Sequence, residues 1–190
     1  MTPSDTSIVI PADLLPSDGR FGSGPSKVRP QAVQHLAERA TDFMGTSHRR
    51  DTVRDQVGRL RHGLSTLFQL PEDWEIVLGN GGTTVFWDAA SFGLIESRAQ
   101  HLVFGEFSSK FGDVTAAAPH LGDPEIIEAP VGSHPMPVAS DVDAYALTHN
   151  ETSTGVVAQL ARPATDGLVL VDATSAAGAV SWNTDDVDCY

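Results

Sequence analysis

The sequence predicts an α/β fold with a mainly parallel sheet. Short apolar runs alternate with segments of helical periodicity along most of the chain, which is the pattern of βαβ units. The run at 168–171 is rich in branched apolar residues and gives way at once to a carboxylate and hydroxyls at 172–175, as expected for a buried parallel strand that ends at the edge of its sheet. With 190 residues, 41% of them hydrophobic, the chain is long enough to bury such a core.

Helices are predicted in the first part of the chain, after an extended arm. Residues 1–25 are rich in Pro, Ser, Asp and Gly and predict an N-terminal arm that closes in a tight turn. Pro30 suits the first position of a helix, and apolar residues follow it at helical spacing. A second helix is indicated by apolar residues that recur every three or four positions: Val53, Val57, Leu60, Leu64 and Leu67.

Strands and helices alternate in the rest of the chain. The predicted strands are 75–78, 102–104, 126–127, 144–147 and 169–171, with a last strand at 187–190. The predicted helices between the earlier strands are 83–95 and 108–118. No second domain is indicated before Tyr190.

Composition excludes several classes of partner and location. The chain has 12 Lys and Arg against 25 Asp and Glu, a net charge of −13, which argues against a nucleic acid or an anionic membrane as partner. The single cysteine, Cys189, gives no disulfide framework and fits a reducing compartment. The first residues contain neither a cationic segment nor a long apolar segment, so we expect a cytoplasmic protein.

A glycine-rich turn at 79–84 lies between a predicted strand and a predicted helix. Glycines let the backbone approach a ligand closely, and the N–H groups at a helix start favour an anion such as phosphate. The pattern matches neither the P-loop nor the dinucleotide-binding turn. An anion site is one interpretation, and a simple tight connection is the other.

A loop at 45–50 presents His48 and Arg49 together with a second Arg and two hydroxyls. Arg can make two parallel bonds to a carboxylate or phosphate, and His adds a donor whose charge is tunable near neutral pH. The alternative is a solvated basic loop. In so acidic a chain, this local positive cluster is the natural docking point for an anionic substrate.

Two further polar turns, at 105–111 and 149–155, also fall at strand ends. Phe107 could stack on an aromatic ligand or pack into the core. Residues of the later turn could bond a planar cofactor or simply form the turn, and Glu151 could be a base or a metal ligand. No second carboxylate or His stands at ligand spacing, so no metal site is predicted. Asp172 completes the set, and polar turns that converge on one sheet edge favour a binding site.

Taken together, these segments resemble phosphoserine aminotransferase, a family of fold type I enzymes that use pyridoxal 5′-phosphate (PLP), and in particular its actinobacterial form. The resemblance rests on segments in the same order: 20–29, 45–49, 79–82, 105–108, 149–155 and 171–175. It implies that residues 26–190 form a three-layer αβα large domain that is incomplete at the C-terminus, and that the small C-terminal domain is absent. It also implies a homodimer for the full-length protein.

The resemblance implies a role for each cofactor-binding residue. Gly82 and Thr83 would hold the cofactor phosphate at a helix start. Phe107 would stack on the pyridine ring, and Thr152 would bond the phenolic oxygen of the ring. Asp172 would pair with the pyridine nitrogen and keep it protonated, so that the ring can accept electrons.

The resemblance also implies the reaction. His48 and Arg49 would bind the distal anion of L-glutamate or of 3-phosphohydroxypyruvate, between which the family transfers an amino group to give O-phospho-L-serine and 2-oxoglutarate. The pathway implied is serine biosynthesis, with pyridoxine biosynthesis as a second. Other branches of the family have Trp at the stacking position and Arg beside the phosphate, where this chain has Phe107 and Thr83.

The Schiff-base lysine that the family requires is not found after the Asp172 strand. The chain contains two lysines, Lys27 and Lys110, and the family pattern places the catalytic lysine a few residues beyond Tyr190. We therefore expect a fragment that is inactive and poorly stable by itself. Two alternatives stay open: another fold type I enzyme, of the alanine–glyoxylate aminotransferase or cysteine desulfurase type, and a lysine-free protein that binds the cofactor or a phosphorylated metabolite.

Overall fold

The computed structural model describes residues 9–19 and 27–190. The chain forms two units, of which the first ends at Arg59 and the second runs from Leu60 to Tyr190. The tight turn predicted at the end of the N-terminal arm lies outside the described residues. The described part of the arm contains a short 3-10 helix, Ala12–Leu14.

Two helices precede the sheet, as the apolar spacing predicts. Helix α1 (Pro30–Glu38) begins at its proline, and helix α2 (Asp51–Phe68) has 18 residues. Neither helix has a buried residue within the described chain: Leu60 is 50% exposed and Leu67 62% exposed. The apolar stripe that predicts α2 is therefore present but is not covered by the described residues.

The centre of the second unit is a four-stranded parallel sheet. The elements that follow α2 are α3 (Thr83–Gly93), β1 (Ala99–Val103), α4 (Glu106–Ala117), β2 (Glu125–Glu128), β3 (Ala144–Thr148), β4 (Asn150–Glu151), β5 (Val156–Val157) and β6 (Leu168–Asp172). The strand order is β2-β1-β3-β6, and every neighbouring pair is parallel. Strands β4 and β5 form a separate antiparallel hairpin. The predicted α/β fold with a mainly parallel sheet is confirmed.

Two strand predictions fail, one because the segment has no partner and one because its pairing is short. Residues 75–78 form no strand, and Val77 is 83% exposed. Residues 187–190 contribute a single parallel bridge, between Cys189 and Leu170. A strand is defined by the backbone hydrogen bonds it exchanges with a neighbour. Residues 75–78 have no such neighbour in the described chain and stay irregular, whereas residues 187–190 pair with β6 over too short a length to form a strand. The other predicted strands, and the helices between them, are found with ends displaced by three residues or fewer.

The sheet buries both of its faces. Val169 and Val171 point to one face and Leu170 to the other, because successive side chains alternate along a strand. On the Leu170 face, α3 and α4 contribute Trp87 and Phe111, whose rings are stacked with centroids 5.8 Å apart. This packing fixes the starts of α3 and α4 relative to the carboxyl end of β6. Within the described residues no helix has the length and hydropathy needed to cross a membrane.

One buried side chain of β1, that of His101, is expected to make the second unit sensitive to acid. His101 is 1% exposed, its ring lies edge-on to Phe111 at 4.9 Å, and neither of its ring nitrogens has a hydrogen-bond partner among the described residues. Burial lowers the pKa of His101 from 6.5 to about 4. The folded protein therefore keeps His101 neutral between pH 6.5 and about 4, whereas the unfolded chain takes up a proton there.

Because the unfolded state binds more protons in this window, we expect stability to fall as the pH is lowered through it, by on the order of 3 kcal/mol from His101 alone. The variant His101→Leu replaces the imidazole by an apolar side chain of similar size that cannot bind the proton. Urea unfolding at pH 7 and at pH 4.5 should show a markedly smaller loss of stability for the variant than for the wild type. Equal losses in the two proteins would contradict this assignment.

Candidate active site

The carboxylate of Asp172 lies at the carboxyl end of β6 and is 5% exposed. Its Oδ2 accepts hydrogen bonds from Thr83 Oγ1 at 2.6 Å and from the indole nitrogen of Trp87 at 2.8 Å. Its Oδ1 accepts from the backbone nitrogen of Thr174 at 3.0 Å and from Thr174 Oγ1 at 2.6 Å. Four donors therefore satisfy the carboxylate and fix its orientation at the sheet edge.

Trp87 is a site residue that the sequence analysis missed. Thr83 and Trp87 are four positions apart on α3, so their side chains lie one above the other on the same face of the helix. Both donate to the same oxygen of Asp172. The spacing of four from the predicted site residue Thr83 is a signal that could have identified Trp87.

The start of α3 is open to an anion. Gly82 precedes the helix with a φ of 109°, a left-handed conformation that favours glycine, and no side chain of the described residues caps the helix there. The first N–H groups of a helix have no partner within the helix, so an uncapped start offers them to a ligand. Thr83 is the first residue of α3, and its hydroxyl donates to Asp172, so the start of the helix lies beside that carboxylate.

The start of α4, in contrast, is already occupied by a carboxylate. Glu151 is 0% exposed and accepts from the backbone nitrogens of Phe107 at 3.2 Å and Ser108 at 2.8 Å. It also accepts from the hydroxyls of Ser108 at 2.8 Å and Ser153 at 2.7 Å. Burial alone raises the pKa of a carboxyl group, but the hydrogen bonds from Ser153 and Ser108 outweigh it and hold the pKa of Glu151 below its ordinary value.

Glu151 is therefore the cap of α4, and its interpretation as a base or a metal ligand is not supported. Gly105 makes this cap possible, because a Cβ atom at that position would lie 2.3 Å from Cγ of Glu151 and 2.6 Å from Oγ of Ser153. The turns at 105–111 and 149–155 are thus in direct contact. Among residues 9–19 and 27–190, no three His, Cys, Asp or Glu side chains come together in a way that could hold a metal ion.

The turn at 149–155 is also tied to the chain around Asp172. The backbone nitrogen of His149 donates to the carbonyl oxygen of Asp172 at 2.9 Å. Thr152 Oγ1 donates to Ser175 Oγ at 2.9 Å, and Ser175 Oγ donates to the carbonyl oxygen of Asn150 at 3.0 Å. These bonds hold the exposed side chain of Thr152 beside the segment that follows β6.

A continuous series of contacts therefore joins five of the predicted site residues at one edge of the sheet: Gly82, Thr83, Phe107, Thr152 and Asp172. Three residues that the sequence analysis did not place in the site, Trp87, Ser108 and Ser175, connect them. His48 and Arg49 lie in the first unit, in the exposed turn between α1 and α2. Their contact with a substrate stays a prediction.

Related sequences include phosphoserine aminotransferases of actinobacteria. The chain is 56% identical over 189 residues to a phosphoserine aminotransferase of Nocardioides sp. (strain ATCC BAA-499 / JS614), a match that covers 97% of this chain and 50% of that protein. This chain belongs to the phosphoserine aminotransferase family. It spans about half the length of the phosphoserine aminotransferases that it matches. No protein-family model matches the chain.

Solved phosphoserine aminotransferases share the fold. The structure of the enzyme from Cytophaga hutchinsonii superposes with a TM-score of 0.76 at 26% identity, over 87% of this chain and 48% of that one. The PLP-bound phosphoserine aminotransferase of Trichomonas vaginalis superposes with a TM-score of 0.63 at 21% identity, over 82% of this chain and 50% of that one. The predicted fold class, the large domain of fold type I, is confirmed by these likenesses.

Proposed function

We propose that the whole protein is a PLP-dependent phosphoserine aminotransferase, which transfers an amino group between L-glutamate and 3-phosphohydroxypyruvate to give O-phospho-L-serine and 2-oxoglutarate. The observation that carries the proposal is the buried carboxylate of Asp172, fixed by four donors beside the uncapped start of α3. That arrangement suits a ligand with an anionic group and a basic ring nitrogen. The names of the relatives support the reaction.

The residues at the sheet edge fit PLP. The backbone at Gly82 and Thr83, which no described side chain caps, offers its N–H groups to the phosphate, while the start of α4 cannot take it because Glu151 fills it. Asp172 provides the acceptor that keeps a proton on the pyridine nitrogen. When bound, PLP supplies an electron sink for the pair released as the α-proton of the substrate leaves.

Phe107 and Thr152 complete the proposed cofactor site. The ring of Phe107 is half-buried at the start of α4, with the ammonium group of Lys110 5.7 Å from its centroid. An aromatic face held in this way can stack on the pyridine ring. The exposed hydroxyl of Thr152, held by Ser175, can turn towards the phenolic oxygen of the cofactor.

His48 and Arg49 are proposed to bind the distal anion of the substrate. A guanidinium group binds a carboxylate or a phosphate with the same paired geometry, so a single pocket can serve both glutamate and phosphohydroxypyruvate. Both residues are exposed in a loop of a strongly acidic chain. The whole protein is further proposed to be a cytoplasmic homodimer that serves serine biosynthesis, with the pyridoxine pathway as a second role.

The covalent lysine is proposed to belong to the part of the relatives that this chain does not span. Lys110 is paired with Oε1 of Glu106 at 2.6 Å on the exposed side of α4, and Lys27 lies in the first unit. Neither lysine follows β6. In the proposed reaction, a lysine at the site moves the proton between the α-carbon and the cofactor.

The test is a substrate comparison with the protein expressed from its complete reading frame. We expect kcat/KM with glutamate as donor to be at least about 100-fold higher for 3-phosphohydroxypyruvate than for pyruvate or glyoxylate, because the smaller acceptors leave the anion pocket empty. The release of 2-oxoglutarate from glutamate is measured, and in parallel the release of sulfide from cysteine. Preference for glyoxylate, or release of sulfide, would point to the other fold type I enzymes.

Borohydride reduction followed by intact mass analysis separates the enzyme from a binding protein. We expect a reduced cofactor adduct on the protein from the complete reading frame and no adduct at the site on the 190-residue chain. Cofactor binding by the complete protein without an adduct or turnover would favour the lysine-free binding protein.

A further inference from the structure

Glu151 connects two residues that contact the cofactor in the proposed function. Phe107 is the second residue of α4, and its backbone N–H donates to Glu151 Oε1 at 3.2 Å. Thr152 follows Glu151 directly in the sequence. Phe107 and Thr152 are 45 positions apart in the chain, yet the carboxylate of Glu151 connects the two turns that carry them.

The connection is rigid. Glu151 is fully buried and accepts five hydrogen bonds, two from Ser108, two from Ser153 and one from Phe107. Ser153 Oγ adds a second link, since it also accepts from the backbone nitrogen of Glu106 at 2.9 Å. The lack of a side chain at Gly105 brings the two turns into contact, so neither turn can shift without breaking several of these bonds.

The same carboxylate distinguishes the two helix starts at the sheet edge. Both α3 and α4 begin at this edge of the sheet, and the first N–H groups of each helix have no partner within the helix itself. A bound carboxylate cancels the attraction of the start of α4 for an anion, whereas the start of α3 has no side-chain cap. A phosphate is therefore favoured at the start of α3 over the start of α4.

We propose that Glu151 is a positioning residue for the cofactor: it holds Phe107 and Thr152 at a fixed spacing and directs the phosphate to α3. This inference rests on the proposed function. It assigns to Glu151 no contact with the cofactor itself and no proton transfer.

The chain offers a matched control for the substitution Glu151→Gln. Asp143 is a second carboxylate that binds backbone N–H groups, those of Glu96, Ser97 and Arg98, the last at 2.6 Å. It lies just before β3, at the opposite edge of the sheet from Asp172. Asp143→Asn therefore removes a comparable set of bonds at a distance from the proposed site.

The experiment measures binding of pyridoxamine 5′-phosphate, which has no aldehyde and cannot react with any lysine, to the protein from its complete reading frame. We expect Glu151→Gln to raise the Kd by about 10-fold and Asp143→Asn by less than about 2-fold, at similar losses of thermal stability. If Glu151→Gln does not fold, Ser153→Ala is the deciding variant, with an expected increase of about 3-fold. An unchanged Kd in the folded variant overturns the inference.

A double-mutant cycle tests the fixed spacing. Phe107→Leu and Thr152→Val are measured singly and together, in the wild type and in the Glu151→Gln background. We expect the two substitutions to be coupled in the wild type and close to additive when Glu151 is replaced. Equal coupling in both backgrounds overturns the inference while leaving the proposed function intact, whereas a wild-type protein that does not bind pyridoxamine 5′-phosphate overturns both.

Discussion

Replacing Asp172 by Asn is expected to lower kcat for transamination by about 10³-fold and to change KM much less. In the proposed function, the neutral amide cannot hold a proton on the pyridine nitrogen, so the cofactor would lose most of its capacity to accept electrons. The anionic groups of the substrate are proposed to bind elsewhere. The measurement is steady-state kinetics with glutamate and 3-phosphohydroxypyruvate on the protein from its complete reading frame. Thermal unfolding is recorded alongside, because an amide nitrogen in place of one oxygen faces donors from Thr83, Trp87 or Thr174.

Reconstitution with an N-methylated PLP provides the control for this prediction. The ring nitrogen of that analogue carries a permanent positive charge, so it needs no carboxylate partner to stay charged. We expect the analogue to restore part of the lost rate in Asp172→Asn. A variant that keeps its full rate, or a loss that the charged analogue does not relieve at all, would show that Asp172 acts through the fold rather than through the pyridine nitrogen.

Replacing Gly105 by Ala is expected to destabilise the protein by about 3 kcal/mol, the upper end for overpacking by one methyl group. The new Cβ would lie 2.3 Å from Cγ of Glu151, a side chain that five hydrogen bonds prevent from moving away. The φ of Gly105 is 173°, an extended conformation open to any residue, so the cost is purely steric. The measurement is urea unfolding at neutral pH.

Gly122→Ala serves as the comparison for this substitution. A Cβ at Gly122 would meet its nearest neighbour, the carbonyl oxygen of Ser97, at 3.6 Å, which is an ordinary van der Waals distance. We expect that variant to stay within about 0.5 kcal/mol of the wild type. If the two variants lose equal stability, the close approach of Glu151 to Gly105 is not the cause.

The features that can be predicted from the sequence are those that depend on residues close together in the chain. The run at 168–171 specifies both the buried strand β6 and the position of Asp172 at its end, since apolar alternation and an abrupt polar ending are local properties. Pro30 specifies the start of α1 in the same way. The glycine-rich turn before Thr83 likewise marks the start of α3.

The rest depends on contacts between distant residues. Glu151 looks like a candidate base in the sequence, and only its contact with residues 107 and 108 shows that it caps α4. The run at 75–78 has the composition of a strand, but strand formation requires a neighbour that composition does not reveal. For Trp87, the sequence contains the helical spacing but not the identity of the facing carboxylate.

The hydrogen bonds of Asp172 also bear on how the chain folds. Its donors Trp87 and Thr83 stand 85 and 89 positions earlier, so forming these bonds closes long loops, and such closures are slow relative to local helix formation. Until α3 docks on the sheet, the carboxylate lacks two of its four donors, and burying it in that state is unfavourable. Docking of α3 and completion of the binding edge are thus one cooperative event, and partly folded chains do not present this edge to a ligand.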